Sequence, residues 1–247
     1  MRESVIKKSV LIIMAVWLFG SGLAFGQISV NNLRCELLVN PIGIDKQYPN
    51  LSWEITSSYR NTRQTAYRIL VSENKNNLAA DKGEVWDTGK ISSDSTVFIS
   101  YKGNRLKKDT RYYWKLKVWT NHGESEWSEM AQWHQGLMNY KDWAATQVGE
   151  MPFKDWGGRW IGFDRMFPWD GNQSENRLSA RYFRKEFKPS GKIKSATAYI
   201  IGLGLYELYI NGEKIGNHVL APIPTDYTKN VKYNAFDVKD KLKEGIN

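Results

Sequence analysis

The dipeptide Asn211-Gly212 stands between Tyr-Ile and Glu-Lys-Ile-Gly, inside an alternating run from Ala196 to Tyr227. Asn and Gly accept positive φ at lower cost than other residues, so the spacing predicts a strand, a type I′ turn and a short return strand. Ala198 and Ile200, then Tyr206, Leu208 and Ile210, recur at every second position, the period of a half-buried strand. This part of the chain is therefore expected to fold as β hairpins that bury one face.

The same period runs through the preceding half. Strands are expected at Leu33–Val39, Leu51–Ile55, Thr65–Ser72, Glu84–Thr88, Ser95–Ser100, Arg111–Thr120 and Ala131–Gln135, separated by turn clusters such as Asn40-Pro41-Ile42-Gly43. Seven short strands over this length predict two packed sheets. Alternation sends Leu51, Trp53 and Ile55 to one face. Leu106, Thr110 and Tyr112 have the spacing of a tyrosine corner, in which the Tyr112 phenol oxygen bonds back to upstream backbone. Together these features resemble a fibronectin type III domain, a scaffold without chemistry of its own.

Ahead of it, Arg2, Lys7 and Lys8 precede the apolar run Val10–Phe19, and Ala24 and Gly26 occupy the small-residue places before Gln27. This is a signal-peptide pattern, too short in its apolar part for a stable membrane span, and it predicts export to the periplasm or medium. Cys35 follows Arg34 and so lacks the small preceding residue of a lipoprotein cysteine. It is the only cysteine, so no internal disulfide is available and packing alone must stabilise the exported domains. The expected division is a signal peptide at 1–26, the first sandwich at 27–136, a joint at 137–158 and a second β domain from 159 to 247. In that second domain Leu178–Phe187 is expected to form a further strand, after a polar insertion at 164–176. No segment of the mature chain predicts a helix of more than a few turns, and the fold class is all-β.

The formal charge is +9, but the lysines are scattered over strands and turns, which is the pattern of a solvated face and not of a nucleic-acid site. Ten of the eleven tryptophans lie in the expected mature chain, and in an exported β protein such an excess favours sugar contact, since a pyranose face stacks on an indole ring, although each single Trp more often packs in a core. Catalytic signatures are missing. His122, His134 and His218 show no metal-ligand spacing, and Gly202-Leu203-Gly204 begins a dinucleotide fingerprint that Glu207 breaks. Among carboxylates, Glu207 on its strand and Asp226 after two prolines have the settings best suited to a ligand.

Arg-Trp-Ile-Gly at 159–162, A-R-Y-F-R-K-E-F at 180–187, L-Y-E-L-Y-I-N-G-E-K-I-G at 205–216, L-A-P-I-P-T-D-Y at 220–227 and Y-N-A-F-D-V-K-D-K-L-K-E-G-I-N at 233–247 together resemble bacterial α-L-rhamnosidases. The resemblance implies a fibronectin-like domain and a jelly-roll domain of carbohydrate-binding type, here incomplete, ahead of a large (α/α)6 barrel that carries the acidic residues of an inverting hydrolysis. It therefore implies a non-catalytic portion whose partners are that barrel and a rhamnose-containing glycoside or polysaccharide. None of the family's catalytic carboxylates can be placed. It also implies that a sugar could be contacted near the return strand of the hairpin, at Asn217 and His218, with Glu207, Asp226 and Tyr227 alongside. No cofactor is required. Some jelly rolls of this type use calcium, but Asn217 stands where the family often has an acid, and Ile223-Pro224 stands where Gly-Trp is common. The competing expectation is a non-catalytic exported carbohydrate-binding or adhesion protein.

Overall fold

The computed structural model describes residues 28–137, 161–162, 180–227 and 231–247. The expected signal peptide, the 164–176 insertion and nearly all of the joint lie outside these residues. No helix among the described residues is long and apolar enough to cross a membrane.

The first domain is a sandwich of two sheets. Strands β1 (Ile28–Cys35), β3 (Asn50–Ser57) and β7 (Ile99–Ser100) form one antiparallel sheet in the order β1-β3-β7. The other places β2 (Ile42–Ile44), β10 (Ala131–Gln135), β8 (Thr110–Thr120), β4 (Gln64–Ser72) and β5 (Trp86–Asp87) side by side, with β6 (Ile91–Ser92) on β4 and β9 (Gly123–Glu124) on β8. Only β2 and β10 run parallel. A single helix of five residues, α1 (Lys75–Ala79), is capped by the Asn74 side chain, which accepts from the Asn76 N–H at 2.8 Å.

Alternation decides what lies between the sheets. Leu51 and Trp53 from β3 meet Ile69 and Val71 from β4 and Tyr112, Trp114, Leu116 and Val118 from β8, all buried. Gln64 is one of the buried polar side chains and is fully employed: it accepts from the Trp53 indole N–H at 3.0 Å and donates to the carbonyls of Ser93 and Ser95. The tyrosine corner is present. The Tyr112 hydroxyl oxygen accepts from the Lys107 N–H at 2.7 Å, so the phenol fixes the chain entering β8. Tyr112→Phe should leave that partly buried amide without its acceptor and lower stability by about 1–3 kcal/mol, measured as a shift of the urea midpoint at unchanged slope.

Three strand boundaries depart from expectation. β1 begins and ends earlier than Leu33–Val39, because the chain reverses at Glu36 and Leu37, both at positive φ (51° and 63°). Cys35 and Leu38 exchange both backbone bonds across that turn, and Leu37, Leu38 and Val39 project into solvent. Hydrophobic type alone does not reveal this turn, at which the Arg34 guanidinium also donates to the Leu37 carbonyl at 3.1 Å. Likewise Glu84–Thr88 and Ser95–Ser100 shrink to the two-residue strands β5 and β7; Phe98 at φ 55° faces outward.

Among its described residues the second domain contains two small sheets. β11 (Thr197–Ile201) pairs antiparallel with β14 (Tyr233–Asp237) over five residues, and β12 (Tyr209–Ile210) pairs with β13 (Glu213–Lys214). Asn211 and Gly212 between them have φ of 52° and 83°, the two positive values that a type I′ turn demands. Ile215, Phe236 and Val238 are buried together, with Ala196, Ala198, Ile200, Leu208 and Ile210 packed against them. Of the predicted alternating set, Ala198, Ile200, Leu208 and Ile210 belong to this cluster, whereas Tyr206 is half-buried outside it and donates its hydroxyl to Asn234 Oδ1 at 2.8 Å. Residues 180–187 do not form the expected strand: Tyr182 is fully exposed, and among the described residues the backbone pairs at Phe187, which exchanges N–H···O bonds with Asn247 at 3.2 and 2.9 Å. An alternating sequence becomes a strand only where a neighbour supplies the ladder.

Candidate functional site

The region singled out in sequence is organised by the β12–β13 hairpin. Ile215 N–H donates to the Leu208 carbonyl at 2.8 Å and extends the pairing one step beyond β13. Asn211, at the turn, donates its amide to the Lys241 carbonyl and to Asn247 Oδ1, each at 2.9 Å, so the turn is tied to the segment after β14. Gly216, φ 76°, lies where a Cβ would fall 2.5 Å from the Phe236 ring. Only Gly lets the return strand pass this close to the small core.

The five expected contact residues divide into separate settings. Glu207 pairs with the Lys214 ammonium and accepts from the Tyr209 hydroxyl at 2.8 Å. The Lys214 hydrogen bond, then that from Tyr209, hold its carboxyl below the usual range. Tyr227 uses its hydroxyl oxygen to accept from the Gly204 N–H at 3.0 Å and so braces the Gly202–Gly204 turn from 23 residues away. The His218 ring meets the Phe236 ring edge-on at 5.4 Å. Asn217 and Asp226 are exposed.

Beside the hairpin, a cavity of about 650 Å³ is lined by Phe183, Phe187, Tyr209, Asn211, Lys243 and Ile246, among others. None of the five expected residues borders it. The alternation at 180–187 and the hairpin turn are both visible in sequence, but that they face one another depends on the Phe187–Asn247 and Asn211–Asn247 bonds, which no local pattern encodes.

Among the described residues no three His, Cys, Asp or Glu side chains stand close enough to hold a metal. Three of the described carboxylates are shifted in the direction opposite to that of a glycosidase acid. A glycosidase acid needs its pKa raised, whereas Asp81, Asp87 and Glu207 are pulled down by hydrogen bonds from Lys115, Arg68 and Lys214. Cys35 is buried, and burial pushes its thiol up, away from nucleophilic thiolate.

The tryptophans of the first domain serve packing. Trp53, Trp114 and Trp133 are enclosed in the core, and Trp86 meets Tyr101 edge-on at 5.0 Å. On the outer face, Lys90 and Lys117 lie over the Trp119 ring at 4.3 and 4.9 Å, and Lys115 lies over Trp127 at 5.0 Å. Their π faces are already taken by cations. Trp143, Trp156, Trp160 and Trp169 fall outside the described residues.

Comparison with known proteins agrees with this architecture. Residues 30–139 match the Rha78A-like N-terminal immunoglobulin domain, and residues 191–247 match the alpha-L-rhamnosidase N-terminal domain. An alpha-L-rhamnosidase of Formosa agariphila is 34% identical over 214 residues, covering 84% of this chain and 22% of that protein. One from Streptomyces avermitilis is 31% identical over 76% of this chain and 18% of its own length. Among solved structures, the alpha-L-rhamnosidase from Dictyoglumus thermophilum superimposes with a TM-score of 0.73 at 37% identity, over 88% of this chain and 24% of its own. The chain thus spans about a fifth to a quarter of the length of these relatives. With its two β domains matching, in order, domains described for one family, the chain belongs to the N-terminal, non-catalytic part of the α-L-rhamnosidases.

Proposed function

We propose that this chain is the accessory N-terminal portion of an exported α-L-rhamnosidase that removes terminal α-L-rhamnosyl groups from glycosides or polysaccharides. The observation that carries the reading is the succession of the two family domains over residues 30–139 and 191–247. Hydrolysis would follow the inverting route in the catalytic barrel of the parent protein: a carboxylic acid protonates the leaving oxygen while a carboxylate activates water on the opposite ring face. The downward-shifted carboxylates described above support an accessory role for these two domains. Glu207, Asn217, His218, Asp226 and Tyr227 would give at most a secondary sugar contact.

The test compares residues 1–247 with the full-length gene product on p-nitrophenyl α-L-rhamnoside. Release of p-nitrophenol by the longer protein only is expected; release by residues 1–247 alone would overturn the accessory role, and a longer protein without activity would favour the carbohydrate-binding alternative. Calorimetric titration with rhamnose, with and without calcium, examines the contact, and absence of heat at millimolar sugar would return the five residues to structural roles. Export predicts a mature N-terminus at Gln27 in the periplasmic or secreted fraction, and an unprocessed Met1 would refute it.

A further inference from the structure

The two domains meet along a seam rich in titratable groups. From the first domain come Asp109, just before β8, Arg111 on β8 and His134 on β10; from the second come Tyr199 on β11 and Tyr233 and Asp237 on β14. Arg111 Nη2 pairs with Asp237 Oδ2 at 2.6 Å, bridging the domains. Asp109 Oδ1 accepts from the Tyr199 hydroxyl at 2.9 Å and lies 3.3 Å from His134 Nε2. Tyr233 donates its hydroxyl to the Gly43 carbonyl at 3.3 Å. Close approach is enforced at Gly136, where a Cβ would lie 2.5 Å from the Tyr233 hydroxyl.

The His134 side chain is only 7% exposed. A carboxylate offers acceptors only, so the neutral ring must carry its hydrogen on Nε2, facing Asp109. The other nitrogen, Nδ1, is buried and has no hydrogen-bond partner among the described residues. β2, which pairs with His134 at Ile42, brings no ionisable side chain within Ile42–Ile44.

We propose that this seam is a proton-sensitive joint, closed while His134 is neutral and loosened when a second proton goes to Nδ1. That proton would create a buried cation with no acceptor at its new N–H and with the Arg111 guanidinium nearby. Asp109 already serves Tyr199 and can offset only part of the cost. Burial is the largest influence on the ring, and it holds the His134 pKa below the ordinary 6.5, with Arg111 opposing protonation and Asp109 and Asp237 favouring it. The sign follows. When the seam opens and His134 meets water, its pKa returns towards 6.5, so the open form binds the proton first. Closure is complete above that pH and weakens about tenfold per unit as pH falls towards the depressed value of the closed form. The Arg111–Asp237 pair does not interfere in this window, since Asp237 is held below the ordinary carboxylate range: burial acts to raise it, but the Arg111 hydrogen bond and the Lys239 amide outweigh burial.

Amide hydrogen exchange on the 247-residue chain between pH 8 and 5, corrected for intrinsic rates, measures closure. Protection in β14 should fall about tenfold per unit below pH 6.5, while Leu116 in the centre of β8 keeps its protection. His134→Gln retains a donor towards Asp109 without a titration and should give flat β14 protection. Equal losses in wild type and H134Q, or parallel loss at Leu116, would overturn the proposal. Should H134Q fail to fold, NMR titration of the wild-type imidazole decides: a midpoint below 6.5 with loss of β14 protection beginning above it supports the joint, and a midpoint at 6.5 or higher refutes it.

Discussion

Trp133→Ala should lower the stability of the first domain by about 3–5 kcal/mol, the range for truncating a large enclosed aromatic. Trp133 is completely buried and stacked on Tyr112 with ring centres 5.2 Å apart, and it meets Tyr101 edge-on at 6.2 Å. Its indole N–H also reaches Gln135 Oε1 at 3.3 Å, and the Gln135 amide in turn donates to the carbonyls of Ile44 and Lys46 at 2.8 and 2.9 Å. Removing the ring therefore empties the centre of the core and loosens the anchor of β2. Against a usual total of about 5–15 kcal/mol, a loss of this size leaves the domain marginal at 37 °C. Trp119→Ala is the matched control. Its ring lies on the outer face under Lys90 and Lys117, so its loss should cost only about 1 kcal/mol. Urea unfolding followed by far-UV circular dichroism separates the two, and similar midpoints would remove the packing role assigned to Trp133.

The difference between those tryptophans marks how far the sequence is legible. Period-two alternation identifies the inward set of β3 and β8 because burial on one face is a local property of a strand, and the Tyr112 corner and the Asn211-Gly212 turn are readable because their geometry spans only a few residues. Leu37, Leu38 and Val39 resemble strand because their side chains are apolar. What turns the chain there is a pair of left-handed residues held by Arg34, and neither Glu nor Leu advertises positive φ. Residues 180–187 fail for the complementary reason: alternation is present, but among the described residues a ladder is not.

Site residues fare less evenly for the same physical cause. Glu207 and Tyr209 are two apart, so their hydrogen bond lies within reach of a reading of one strand face. Tyr227 and Gly204 meet across a loop, and Asp109, His134 and Tyr199 across a domain boundary. His134 carries no recognisable spacing; its significance is its burial between two domains, a property that exists only once both have folded. The cavity beside the hairpin is of the same kind, since Phe183 and Lys243 meet Tyr209 only through pairing at Asn247.

Gly43→Ala should cost about 2–5 kcal/mol, made of two separable parts. Gly43 sits in β2 at φ 82°, where any Cβ costs about 1–2 kcal/mol. Its new methyl would also fall 2.8 Å from Ala235 Cβ on β14, and relieving such overpacking costs about 1–3 kcal/mol. Gly212→Ala isolates the first part: its φ is 83°, yet nothing lies within 4 Å of the place its methyl would take. Ala235→Gly isolates the second, since deleting the opposing methyl in the double variant should relieve the clash and leave the conformational strain. The expected order of β14 protection in hydrogen exchange is wild type, then Gly43→Ala/Ala235→Gly, then Gly43→Ala. Equal protection in the single and double variants would mean that β2 and β14 do not touch in solution. That result would remove the close packing on which both the joint at His134 and the fixed placement of the two domains depend.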